Sequence, residues 1–393
     1  MTSRRDFLRS LPMISLAPTV PGFLARSAWA SAPSKDARAL VVIQLDGGND
    51  GLNTVIPHHD EGYARARPTL RIGADRLVKV ADGVGLHPSM GEAGQLLESG
   101  RLAIVPGVGY PNPNRSHFAS MAIWQTARFD PEDHGGPGWI GRGFDASGVG
   151  PASVFVGSGS PPVALRGRRA SASALERIDD LTLDPALGTR RTPAGTAGDD
   201  LAAFVRRSTL DAYASADRLA ELARKDDASA RYPSTALAGR LKLVARLLKG
   251  DFASRVFYTT QGGYDTHAAQ APTHSGLLSE LSGALKAFLD DLAASGLADR
   301  VLVLCFSEFG RRVAENGSGG TDHGAAGPVL LAGPAVVPGL AGPYPRLSDL
   351  DDGDLKPTVD FRRVYATVLE GWLGLPSASA LGGIFETLPL IRA

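Results

Sequence analysis

Short apolar runs, many of them β-branched, recur along this chain, and at four places such a run adjoins a carboxylate or a histidine. Val41-Val42-Ile43-Gln44-Leu45 ends on Asp46, and Val256-Phe257-Tyr258-Thr259-Thr260 leads to Asp265 and His267. Val301 to Phe306 leads to Glu308, and a glycine-bounded loop before Val329 carries Asp322 and His323. Runs of this kind read as strands buried on both faces, which requires helices on either side of a largely parallel sheet. In such a sheet, side chains just beyond the carboxyl ends of the strands converge on one crevice, so residues distant in sequence share a site. The converging set is of metal-ligating or acid/base type.

Amphipathic stretches separate the runs, the pattern of an α/β domain. Strands are expected over residues 40–45, 102–105, 153–156, 255–259, 301–306 and 329–331. Helices are expected over 90–98, 118–128, 200–225, 235–249, 276–295 and 360–373, the last capped by Asp360 and closed by Gly374 before Pro376. Residues 157–199, rich in Gly, Pro, Ser, Ala and Arg, read as an irregular insertion or cap, and the Gly/Pro-rich residues 333–357 as a surface excursion.

Residues 1–30 are set apart from the domain over 31–393. Ser3-Arg4-Arg5-Asp6-Phe7-Leu8 is a twin-arginine motif, followed by a weakly apolar stretch and by the small-x-small site Ala28-Trp29-Ala30. Pro12, Pro18 and Pro21 argue against a spanning helix, and no later segment is long and apolar enough to insert stably in a membrane. The expected partner is therefore the twin-arginine translocase, and the expected location periplasmic or secreted. Formal net charge over the whole chain is +0, which does not suit a nucleic-acid binder. The single cysteine, Cys305, lies inside an apolar run and excludes a disulfide framework or a zinc–thiolate cluster.

Each motif supports two readings. Asp46, followed by Gly47 and Gly48, suits a hard cation or a phosphate-like group, or else caps a turn. Ser116 is placed to cap a helix, and a hydroxyl at that position can also serve as a nucleophile; Arg115 beside it can hold an oxyanion, and His117 can act as base or ligand. Asp265 and His267 project to one side of an extended backbone, as half of a metal site or as a solvated pair. Glu308 either binds a cation or pairs with Arg311 or Arg312. His323, in the glycine-boxed Thr321-Asp322-His323-Gly324, is the histidine most suited to a ligand role.

Taken together, the chain resembles the twin-arginine-exported bacterial family catalogued as domain of unknown function 1501. The resemblance rests on Asp46-Gly47-Gly48-Asn49-Asp50-Gly51-Leu52-Asn53, Asn114-Arg115-Ser116-His117-Phe118, Gly263-Tyr264-Asp265-Thr266-His267, Ser307-Glu308-Phe309-Gly310-Arg311 and Thr321-Asp322-His323-Gly324. That family looks like a remote branch of the alkaline phosphatase and sulfatase superfamily. The resemblance implies a three-layer α/β sandwich, a divalent metal ion (zinc, calcium or manganese), and hydrolysis of a phosphate or sulfate ester on a small molecule or polymer. It further implies Ser116 as nucleophile, Arg115 as oxyanion holder, and Asp46, Asp265, His267, Glu308, Asp322 and His323 around the metal. Two departures stand out: Asp265-Thr266-His267 replaces the superfamily's Asp-x-x-x-His, and Glu308-Phe309 replaces an Asp-His pair. No residue fits the pattern converted to formylglycine. The rival readings are a non-catalytic envelope protein on the same fold and a structural calcium site.

Overall fold

The computed structural model of the chain describes residues 38–148, 152–176, 231–252 and 254–392. The segment expected to direct export and the helix expected over 200–225 lie outside them. In chain order the strands are β1 (Ala39–Leu45), β2 (Val55–Ile56), β3 (Val78–Ala81), β4 (Val84–Leu86), β5 (Leu102–Gly109), β6 (Ala152–Val156), β7 (Ser171–Leu175), β8 (Val256–Gln261), β9 (Val301–Ser307), β10 (Gly327–Ala332), β11 (Gly339–Leu340), β12 (Leu350–Asp351), β13 (Asp354–Leu355) and β14 (Val359–Asp360). The helices are α1 (Gly51–Thr54), α2 (Glu61–Ala66), α3 (Gly91–Glu98), α4 (His117–Thr126), α5 (Trp139–Ser147), α6 (Ala236–Lys249), α7 (Gln270–Ala294), α8 (Phe361–Ala366, continued by the π-helical Thr367–Leu373) and α9 (Ser377–Leu381).

Nine strands form the middle layer in the order β11-β5-β10-β9-β1-β8-β6-β7, with β14 also on β5. β1 lies at the centre, parallel to both β8 and β9, and all of its residues are buried. Its alternate side chains feed two cores. Val41 and Ile43 pack with α3, α6 and α7, while Leu40 and Val42 pack with α4, α5 and α8. The result is a three-layer α/β sandwich with a mostly parallel sheet. β10 alone among the paired strands of this sheet runs antiparallel, between β9 and β5. Its first residue therefore lies at the carboxyl edge of its neighbours. That reversal is how a loop preceding a strand, the one with Asp322 and His323, reaches the crevice that the other motifs enter by following one.

The stretch over 157–199, expected to be irregular, contributes β7 within its described part, and β7 extends the main sheet parallel to β6 from Ala152↔Ser171 to Val156↔Leu175. Its Ser171-Ala172-Ser173-Ala174-Leu175 has too little β-branched or aromatic character to stand out. Residues 333–357 do more than skirt the surface: β11 pairs with β5, and β12 with β13 forms a hairpin. Among the described residues no helix is long and apolar enough to cross a membrane.

Candidate metal centre

Four loops meet at the carboxyl edge of β1, β8 and β9. Asp46 closes β1, with its backbone N–H bonded to the Gln261 carbonyl at 2.9 Å and its own carbonyl accepting from Tyr264 N at 3.1 Å. Gly47 follows at φ +115°, and a Cβ there would lie 2.4 Å from the Asp265 backbone nitrogen, so only glycine lets the β1 and β8 loops touch. Arg311 is buried beneath them. It donates to the Gly48 and Thr321 carbonyls at 2.7 Å, to Gly47 and Tyr264, and to Asp265 Oδ1 at 2.7 Å, fastening the loops into one unit.

Three imidazoles converge on the Asp265 carboxylate. His323 Nε2 and His267 Nε2 lie 3.1 and 3.0 Å from Asp265 Oδ1, and His117 Nε2 lies 3.5 Å from Oδ2. The other nitrogen of each ring faces a group that can only accept. His323 Nδ1 is 2.8 Å from the Arg115 carbonyl, His117 Nδ1 is 2.8 Å from Glu308 Oε1, and His267 Nδ1 is 3.1 Å from Asp322 Oδ1. With the Nδ1 proton of each ring given to its acceptor, the three Nε2 atoms are left facing Asp265 as lone pairs. His117 Nε2 is buried without a hydrogen-bond partner, and His267 Nε2 stands 3.0 Å from His323 Nε2. Bare nitrogens at that separation, facing a carboxylate, repel one another unless a cation lies among them.

The spacing fits a metal. An ion with ligands at about 2.0–2.1 Å in a tetrahedron sets ligand atoms roughly 3.3–3.4 Å apart, close to the 3.0–3.5 Å separations found here. His117, Asp265 and His323 each offer one atom within 4.8 Å of the others, and His267 joins them at Asp265 and His323. Imidazoles whose far N–H is fixed by a carboxylate or carbonyl are the usual histidine arrangement around zinc. Burial alone raises the Asp265 carboxyl, but the hydrogen bond and charge of Arg311, with the neighbouring imidazoles, outweigh it and hold the group at about 2.

The expected residues divide into three groups. Asp265, His267 and His323 stand at the convergence point. Glu308 and Asp322 stand behind it, orienting His117 and His267; Glu308 also accepts from Gly47 N at 2.9 Å and lies 2.8 Å from Ser307 Oγ, so both its oxygens are engaged. The pairing of Glu308 with Arg311 or Arg312 does not form: Arg311 goes to Asp265, and Arg312 to Asp352 and Asp354. Asp46 lines the adjacent cavity, where burial raises its carboxyl against the hydrogen bond from Gln44 Nε2 at 2.5 Å. The Arg115 guanidinium is turned to Asp354 at 2.6 Å and Asp352 at 3.2 Å, and only its carbonyl serves the cluster. Ser116 is exposed, forms no side-chain cap, and is absent from the cavity wall.

His117, Arg311 and Gln44 carry more of the site than their sequence positions announced. His117 was eclipsed by the helix cap preceding it. Gln44 had a signal: a polar residue inside an apolar strand, on the same face as Asp46 by the two-residue period, and here it accepts from Gln125 at 3.1 Å and from Tyr258. Phe309 packs against the rings of both His117 and His323, at 5.0 and 4.8 Å between centroids.

Beside the cluster opens a cavity of about 500 Å³, with Asp46, Asp265, Glu308 and His117 on one wall and Phe118, Met121, Ala122 and Val163 on the other. Fold and cluster thus define a three-layer α/β protein with a histidine–carboxylate centre at its strand ends. The profile of the family described as "Protein of unknown function (DUF1501)" matches residues 37–376, and the chain belongs to that family. No curated protein matches the sequence. Among solved structures the chain is similar to a sulfatase from Pseudoalteromonas sp. (11% identity over 98% of this chain and 75% of that one, TM-score 0.40). It is also similar to the C-terminal periplasmic domain of EcEptC from Escherichia coli in complex with Zn (9%, 76% and 74%, 0.37). A third is the lipoteichoic acid synthase LtaP from Listeria monocytogenes (11%, 86% and 80%, 0.33).

Proposed function

We propose that the protein is a metal-dependent hydrolase of phosphate or sulfate esters with an alkaline-phosphatase-like architecture. The observation that carries this reading is the convergence of three Nε2 atoms on Asp265, each ring with an acceptor behind its other nitrogen. His117, Asp265, His267 and His323 would hold a divalent ion, which supplies charge to polarise the ester and to acidify a water. Without that charge, the carboxylates of Asp46, Asp265 and Glu308 would repel an anionic ester from the cavity, since Arg311 pairs with Asp265 and with neither of the other two.

Within the reading each residue has a task. Asp46, on the cavity wall and held by Gln44, takes the proton of the attacking water; burial strengthens its hold on a proton. Glu308 keeps His117 in one tautomer. The apolar wall formed by Phe118, Met121 and Ala122 receives the non-ester part of the substrate. Ser116 keeps no nucleophilic part, because its hydroxyl is not on the wall.

Elemental analysis and a panel of aryl phosphates, phosphodiesters and aryl sulfates, assayed with zinc, manganese and calcium, test the proposal. Turnover that needs metal and disappears in Asp265→Asn and His323→Ala, but survives in Ser116→Ala, is expected. A chain that binds no metal and turns over none of these esters is instead the non-catalytic envelope protein. Export by the twin-arginine translocase to the periplasm or beyond belongs to the same proposal, and replacing Arg4 and Arg5 by Lys should leave the precursor in the cytoplasm.

A further inference from the structure

A second cavity, of about 480 Å³, carries Arg128, Arg142, Arg168 and Arg169 against Asp133 and Asp145. It lies beyond the C-terminal end of α4, the helix whose first residue is His117. Four positive and two negative side chains leave a formal +2. Among the described residues none of the four guanidinium groups is within an ion pair.

The pocket is built rather than incidental. Arg142 is anchored only by carbonyls, those of Ala380 at 2.6 Å, Pro137 and Thr126. Burial, reinforced by the charge of Arg128, depresses its pKa to about 10 against the weaker attraction of Asp133. Arg128 rests over Gly382, where any Cβ would collide with its guanidinium, and donates to the Leu381 carbonyl at 3.0 Å. Asp145 spends its carboxylate on the backbone N–H groups of Arg168, Arg169 and Ala170, at 2.5, 3.0 and 2.8 Å. That clamp fixes the turn and leaves the Arg168 and Arg169 side chains exposed, with no hydrogen bond of their own among those described.

We propose that this cavity binds a tetrahedral oxyanion, phosphate or sulfate, either free or carried on a larger molecule. Guanidinium groups present planar forks of donors matched to such oxygens. α4 has ten residues, so the His117 end of the first cavity, whose lining runs along the helix to Gln125, lies roughly 15 Å from the second cavity, at about 1.5 Å per residue. If the metal-centre reading holds, an extended polyanionic ester reaches both.

Calorimetric titration of the full chain with inorganic phosphate and sulfate, in the wild type, in Arg168→Ala/Arg169→Ala and in Asp265→Asn, tests the proposal. One saturable site should persist in Asp265→Asn and weaken roughly tenfold or more in the double arginine variant. The melting temperature of the latter should be unchanged, because Asp145 holds backbone atoms rather than the deleted side chains. Equal affinity in wild type and double variant, or loss of binding in Asp265→Asn alone, overturns the proposal, the second by placing the anion at the metal centre. Polyphosphate separates the sources: binding weakened in both variants means one chain spans both sites, while weakening only in the arginine variant means the pocket works alone. The Asp265→Asn arm also keeps failure of this site distinct from failure of the hydrolase reading.

Discussion

His117 shows how one side chain can be misjudged from its neighbours. Ser116 and Arg115 look better suited to chemistry, yet the helix turn that exposes Ser116 and sends Arg115 to the β12–β13 hairpin points the next residue inward, onto Glu308 and Asp265. Glu308 acts through that ring. We predict that Glu308→Gln lowers affinity for the preferred metal about 10–100-fold, the range for partners that orient a metal-bound histidine. Titration with a competing chelator measures it, and an unchanged affinity removes His117 from the ligand set. Phe118 poses the opposite case: it is 91% exposed, so it contributes little to the core, yet it sits on the cavity wall. Phe118→Ala should leave stability within about 0.5 kcal/mol and raise KM for aryl esters more than it lowers kcat. A melting temperature that falls by many degrees would mean the ring packs against something other than substrate.

At the level of elements, the centre of the sheet was legible and its edges were not. The runs behind β1, β8, β9 and β10 are apolar on both faces and announce buried strands whatever surrounds them. β5 extends past the expected 102–105 to Gly109, because Pro106 falls where the register with β10 shifts between Gly327 and Val329, a bulge that tolerates a missing N–H. α7 begins at Gln270 rather than near 276, since Pro272 sits in the first turn, where no intrahelical hydrogen bond is lost. The Asp360 cap and the left-handed Gly374 stop are both present. Strand ends told which loops would meet, but not which atoms would face which: whether Glu308 binds an ion or orients a histidine depends on ring orientations that no spacing encodes. The Gly47 contact is a loop property of this kind. Gly47→Ala should cost more than about 1 kcal/mol, from an unfavourable φ and a Cβ driven into the Asp265 backbone, and should weaken metal binding with it. Urea denaturation and metal titration of one variant check both halves.

Across the whole molecule, the histidine–carboxylate cluster rests on a buried polar layer that makes the fold sensitive to acid. Arg67 and Asp50, both fully buried, are paired at 2.6 Å, and Gln270 also donates to Asp50. Beside them His274 is buried with Nε2 3.0 Å from Asn49 Oδ1. Burial pushes the His274 pKa down to about 4, against the attraction of Asp50; for Asp50 itself burial opposes ionisation, but Arg67 prevails and brings it to about 2. Both folded values lie below the ordinary ones of 6.5 and 3.8, so the unfolded chain binds more protons and acid favours it. The His274 contribution is complete above about pH 6.5 and is lost as pH falls toward 4; that of Asp50 is complete above about 3.8 and is lost toward 2. A tenfold difference in proton affinity between the folded and unfolded chain is worth about 1.4 kcal/mol, so a loss of a few kcal/mol is expected between pH 7.5 and 4.5, mostly through His274. Urea midpoints measured across that range with chelator present should fall steadily in the wild type. His274→Gln should flatten the curve. Parallel curves for the two proteins would mean that His274 titrates as it does in the unfolded chain, and that the buried layer is open to water.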